Sequence, residues 1–278
     1  MRAKAHLSAT QISMWLRCPR QWAFRYIEHL RIPPSGAMKQ SSVLHKSAEY
    51  NYRQKIASHL DLPLDEMTDF YDQTFRDEMQ REEVVLDENQ TPEGLKDQGI
   101  AAIKTHHKEI APLVEPQFVE EKRTVALGGE NFAYDLTGVL DVVDTADTVI
   151  DNKLLGKTPN QADLDKDIQL STYSLLYRLW QRKAESKLRL DIVVKNKLPK
   201  AVQLETQRSR EGLRMHLNTM GHIAKAIEAE AFPMNPTGWW CSPKFCGYWS
   251  RCMGKGMVTV DLGQTLEAKL EQSLSKEG

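Results

Sequence analysis

Three of the chain's four cysteines, Cys241, Cys246 and Cys252, fall in the short run WWCSPKFCGYWSRC, and the fourth, Cys18, stands far upstream in LRCPRQW. Thiols gathered this densely suit metal chemistry. Structural zinc usually draws its ligands from close Cys-x2-Cys pairs, and the spacing C-x4-C-x5-C plus one distant cysteine contains none. Four thiolates also satisfy a 4Fe–4S cluster, whose ligand spacing is more varied. Trp239, Trp240, Phe245, Tyr248 and Trp249 could shield it from water. Four unrelated buried cysteines are the bland alternative.

A second chemistry lies mid-chain. GVLDVVD carries Asp141 near the end of one stretch, and VIDNK carries Asp151 and Lys153. If both stretches are strands, Asp151 and Lys153 share a face, and Asp141 can meet Asp151 across adjacent strands about 4.8 Å apart. Paired carboxylates repel unless a cation sits between them, and hard oxygen ligands suit Mg2+ or Mn2+. The lysine could then orient a water or stabilise charge developing on a phosphate. An ordinary strand-edge salt bridge also explains Asp-x-Lys. Downstream, Gln169 and Tyr173 in QLSTY stand at i and i+4, on one helix face. Upstream, VLHKSAEY puts His45 on a helix, where a structural role is the plainer reading and a metal ligand the sharper one.

These residues need elements to position them. Ser8 and Gln11 spell a capping box at the start of a first helix, which Pro19 should interrupt near Cys18. Residues 37–60 and 65–82 read as helices, and TPEG opens another that runs to about residue 111. The texture then becomes β-rich: FVEEKRTVAL, FAYDLTGVLDVV and TVIDNKLL form an antiparallel meander, separated by GGEN and DTAD turns. A long helix over 161–187 follows, then strands LRLDIVVKN and AVQLETQ around KLPK, a helix over 208–231, and the cysteine loop. The organisation expected is a helical region over 1–115, an α/β core over 116–232 and a cysteine module over 233–278, in one compact unit.

Composition narrows the function. With 278 residues, 41% hydrophobic, the chain can bury a substantial core. Its net charge of −1 means that a nucleic-acid role must rest on local basic patches. Arg17, Arg20 and Arg25, then Lys195, Lys197 and Lys200, then Arg208, Arg210 and Arg214, then Lys244, Arg251 and Lys255 are such groups, able to line a phosphate track or simply to solvate a surface. No apolar run reaches membrane-spanning length, and no secretory leader is recognisable, so a cytoplasmic location is expected.

CPRQWAFRYIEHL, VLHKSAEY, GVLDVVD, VIDNK, QLSTYSLLY and the final cysteine trio, in that order, resemble the PD-(D/E)XK nuclease superfamily. Within it they are similar to the RecB-like branch that carries an iron–sulfur cluster, which includes CRISPR-associated RecB-type exonucleases, the AddB nuclease domain and many phage exonucleases. The resemblance spans residues 7 to about 253. It implies an α/β fold with a restriction-endonuclease-like core, a central mixed sheet flanked by helices. It implies that His45, Asp141, Asp151 and the carbonyl of Asn152 bind Mg2+ or Mn2+, and that Lys153 is catalytic. Gln169 and Tyr173 would support the site and contact DNA, together with Arg17, Arg20, Lys195 and Lys197. Cys18, Cys241, Cys246 and Cys252 would hold a 4Fe–4S cluster that clasps the two ends of the chain. The chain departs from the pattern at Ser41, where glycine is common, and in the gap between Cys241 and Cys246. The activity implied is a metal-dependent DNA exonuclease serving processing, recombination or repair, with a recombinase, helicase or single-strand-binding partner. The alternative is a non-catalytic iron–sulfur DNA-binding subunit on the same fold.

Overall fold

The structure is a computed structural model and describes residues 5–128 and 134–253. Part of the GGEN turn, Lys255 and the C-terminal tail lie outside the described residues.

The chain opens with a short strand, β1 (Ala5–Leu7), and then α1 (Ala9–Arg17), which Ser8 caps by accepting the Gln11 amide at 3.3 Å. The Gln11 side chain turns to the carbonyl of His6 rather than to the cap amide that a full capping box would use. Pro19 is placed where its ring is harmless, at the first turn of α2 (Pro19–Tyr26), and Cys18 is the extended residue between the two helices. Three helices follow: α3 (Gly36–Ser58), α4 (Leu64–Arg81) and α5 (Pro92–Glu109).

The sheet comes next: β2 (Pro116–Ala126), β3 (Tyr134–Asp144) and β4 (Thr148–Leu155), joined by antiparallel pairing as expected. The helix expected over 161–187 is split into α6 (Gln161–Leu164) and α7 (Ile168–Gln181). The reason is polar competition in DLDKD. Asp167 caps α7 through the Leu170 amide at 2.8 Å, and Arg208 holds the Leu164 and Asp167 carbonyls in the gap. The helices form a crossover to β5 (Lys187–Val194), which lies parallel to β4, and β6 (Lys200–Thr206) returns antiparallel. The chain ends in α8 (Arg210–Glu228) and, within the cysteine loop, α9 (Trp249–Met253).

The six strands run β1-β3-β4-β5-β6, with β2 on the other edge of β3. One core cluster joins the sheet to α1, α2, α7 and α8 through residues such as Ile12, Trp15, Trp22, Leu176 and Ile223. The other joins it to α3, α4 and α5 through Leu44, Tyr52, Phe75 and Ile103. Strand β1, too short to show a period in sequence, pairs in parallel with Tyr134–Leu136 of β3. Farther along the same edge, β4 pairs only with Val142 and Val143. Between those two pairings the edge of β3 over residues 137–141 is open, and the sheet forks there. No described helix is long and apolar enough to cross a membrane.

Candidate active site

The fork positions the acidic residues. Val142 pairs with Ile150, so Asp141 stands opposite Asp151, one step past the last ladder pair. In place of a further backbone bond, the Asn152 amide donates to Asp141 Oδ2 at 3.0 Å. Helix α3 brings His45 to the same oxygen, with Nδ1 3.0 Å away. Asp141 is 7% exposed and Asp151 fully buried. A cleft of about 570 Å³ opens over Asp141 and His45, lined also by Lys46, Glu120, Lys122, Gln169 and Tyr173.

Lys153 approaches both oxygens of Asp151, at 2.8 and 2.7 Å. Strand alternation therefore works as expected, and α7 completes the network. Gln169 accepts from Lys153 at 3.0 Å, donates to Asp151 at 3.2 Å and donates to the Tyr173 hydroxyl at 2.7 Å. On the far side of β4, His106 of α5 meets the Asn152 side-chain oxygen at 3.1 Å. Burial holds that imidazole below its ordinary value.

The charges compensate in pairs. Burial pushes the Asp151 carboxyl up to about 7, against the pull of Lys153, and the Asp141 charge adds to the rise. Burial acts on Asp141 in the same direction, but the His45 hydrogen bond and charge outweigh it and hold this carboxyl below its usual range. His45 and Lys153 are both raised, because their carboxylate partners overcome the cost of burial. Asp141 thus leans on His45 and Asp151 on Lys153, an arrangement in which a divalent ion can substitute.

Among the described residues, one trio can offer metal-ligand atoms within 4.8 Å of one another: His45, Glu120 and Asp141. Glu120 was not legible as a site residue. It lies in FVEEK, where consecutive charges read as a solvated strand. The expected grouping of His45, Asp141 and Asp151 is not this compact, because Lys153 and Gln169 draw Asp151 toward α7. The carboxylate oxygens are nonetheless the donors that Mg2+ or Mn2+ takes, so the acidic residues present fit such an ion, with the imidazole as one borderline ligand beside them.

The expected DNA contacts divide. Arg17 lines a groove of about 380 Å³ that shares Ala9, Thr10 and Gln169 with the cleft. Arg20 is engaged elsewhere, with Glu28 at 3.0 Å and over the Phe24 ring at 4.4 Å. Lys195 and Lys197 sit at the β5–β6 turn and line neither the cleft nor the groove. Arg208 is buried and tethers Ser171, Leu164 and Asp167, so it is not part of a phosphate track.

All four cysteines line one cavity of about 120 Å³, walled also by Phe24, Met234 and Tyr248. Trp15 and Trp22 belong to the core, whereas Trp239 is 73% exposed. Among the described residues no three cysteine sulfurs lie within 4.8 Å of one another. A single tetrahedral zinc, with Zn–S near 2.3 Å, would place its sulfurs about 3.8 Å apart; the cysteines form no group that compact, and their spacing does not support the expected four-thiolate cluster either.

A family model described as the PD-(D/E)XK nuclease superfamily matches residues 6–253. Among solved structures, a protein of Eubacterium rectale described as a candidate exonuclease aligns with a TM-score of 0.60 at 12% identity, covering 95% of this chain and 92% of that one. A second, SSO0001, aligns with a TM-score of 0.40 at 13% identity over 93% and 90% of the two chains, too loosely to carry an argument. No curated protein matches the chain.

Proposed function

The chain belongs to the PD-(D/E)XK nuclease superfamily, and from that premise we propose that it is a divalent-metal-dependent deoxyribonuclease that degrades DNA from its ends. The observation that carries this reading is the convergence of His45, Asp141, Asp151 and Lys153 on the open fork between β3 and β4. A non-catalytic scaffold would have no need to keep a half-buried lysine paired with a buried aspartate beside an open cleft.

A divalent ion held by Asp141, Asp151 and His45 would supply Lewis-acid charge to the scissile phosphate. The protein's own groups supply the rest. Gln169, which lines the cleft, fixes the Lys153 ammonium beside Asp151, where it would stabilise negative charge developing on a phosphate oxygen. Tyr173 fixes Gln169 in turn. Lys122 lines the same cleft and offers positive charge to the flanking phosphates. The neighbouring groove provides a path for a strand past Thr10 and Ser13 to Arg17.

We infer one 4Fe–4S cluster as a second cofactor from a separate observation, the four cysteines that line a single cavity. Its walls are apolar, and the four cysteines come from both ends of the described chain. There Cys18, Cys241, Cys246 and Cys252 would join α2 to the C-terminal loop, complementing the Asn235 hydrogen bond to the Arg17 carbonyl and the Tyr248 bond to that of Leu30.

The test is incubation of the purified chain with end-labelled linear DNA and Mg2+ or Mn2+. Progressive release of short labelled products is expected, and covalently closed circles should resist. Intact DNA binding without cleavage under either metal would favour the scaffold reading instead. Cleavage of closed circles as fast as of linear DNA would overturn the exonuclease assignment.

A further inference from the structure

Glu120 is the one member of the metal-capable trio that the sequence pattern does not mark, and three observations bear on it. The first is register. Val119 pairs with Val142 and Glu121 with Leu140, so Glu120 stands opposite Asp141 on β2, as Asp151 does on β4. Three carboxylates therefore occupy consecutive strands at the fork, with Asp141 in the middle. The second is backbone. Glu120 has φ of 50°, in the left-handed region that a non-glycine residue inside a strand avoids. Such conformations persist where the surrounding structure imposes them and gather at functional sites. The third is partnering. Asp151 has Lys153 and Gln169, and Asp141 has His45 and Asn152. Glu120 is only half-buried, but its carboxylate has no hydrogen bond or ion pair among the described residues. Yet one of its oxygens lies within 4.8 Å of ligand atoms of His45 and Asp141.

A carboxylate set beside another carboxylate without its own cation is an arrangement that a divalent cation resolves. We propose that Glu120 is a direct ligand of the active-site Mg2+ or Mn2+, closing the coordination shell from β2 together with His45 and Asp141. The proposal rests on the reading of this cleft as a divalent-metal site and adds to it a residue that neither the Asp-x-Lys pair nor the helix-borne histidine discloses. It sets Glu120 across Asp141 from Asp151, so that the ion would be held from β2 as well as from β3 and β4.

The test uses Mn2+ alone, with the full chain and no nucleic acid, and reads affinity by titration calorimetry and by the electron paramagnetic resonance of free Mn2+. Wild type, Glu120→Gln, Glu120→Gly and Asp141→Asn are compared. Glycine is included because it accepts the left-handed backbone without strain, so a folding defect in the glutamine variant cannot mask the result. The expected outcome is at least a tenfold loss of Mn2+ affinity in both Glu120 variants and in Asp141→Asn. If Asp141→Asn loses Mn2+ while a folded Glu120 variant binds within twofold of wild type, Glu120 is not a ligand and the metal site stands without it. If wild type itself does not bind Mn2+, the metal reading of the cleft fails and this proposal fails with it. A merely structural Glu120 would change the melting temperature and leave Mn2+ affinity alone.

Discussion

Replacing Glu78 by glutamine tests how His45 is held over the cleft. Glu78 of α4 is 6% exposed and receives Lys39 at 2.9 Å and Lys46 at 2.5 Å, both from α3, with Arg81 at 2.9 Å from its own helix. Those two lysines bracket His45 in sequence, so this carboxylate fastens the part of α3 that presents the histidine. The lysine hydrogen bonds, Lys46 first, hold the Glu78 carboxyl down at about 2, from an ordinary value of 4.5. At 1.36 kcal/mol per pH unit, a depression of that size corresponds to about 3.4 kcal/mol. Lys46 and Arg81 extend into water, which screens their share, and a loss of about 2 kcal/mol is expected for Glu78→Gln at pH 7. The sign follows from the depressed folded-state value. The stabilisation is fully present above about pH 4.5 and is lost as pH falls toward 2. Urea unfolding of both proteins at pH 7 and at about pH 3 should therefore show a gap that narrows to less than half. Nuclease activity at pH 7 should fall as well, through looser placement of His45. An equal gap at both pH values would refute the electrostatic account and leave only packing.

Four further outcomes are expected. Lys153→Met should abolish cleavage of labelled DNA yet keep Mn2+ affinity close to wild type, because Lys153 carries no ligand atom; normal cleavage would remove it from the mechanism. Gly99→Ala should lower the melting temperature markedly, since the new Cβ would meet the Tyr71 hydroxyl at 1.8 Å and force that buried ring aside, an overpacking cost of about 1–3 kcal/mol. Tyr71→Phe, by contrast, should be neutral or stabilising in thermal melts, because the buried Tyr71 hydroxyl has no hydrogen-bond partner. Cys18→Ser, purified without oxygen, should lose iron to the same degree as Cys246→Ser; an iron-replete Cys18→Ser protein would refute the clasp between the chain ends.

The parts of this protein that were readable from sequence are those that local period and residue chemistry control. The amphipathic helices, the meander, the shared face of Asp151 and Lys153 and the Gln169–Tyr173 pair all follow from spacings of two or four residues, and each is found in the fold. The ordered motifs also pointed to the superfamily that the family model matches. Other features depend on contacts between distant segments. Strand β1 is three residues long and exists because β3 offers it an edge. The gap between α6 and α7 is held open by Arg208, some forty residues away, whose charge in sequence suggested a surface. The fork at Asp141 arises because β1 and β4 occupy different stretches of one strand edge. Glu120 gains its meaning only there. A glutamate in a charged strand is chemically mute until register sets it opposite Asp141 and α3 lowers His45 onto the pair, since carboxylate repulsion acts over a few ångströms of space and not along the chain.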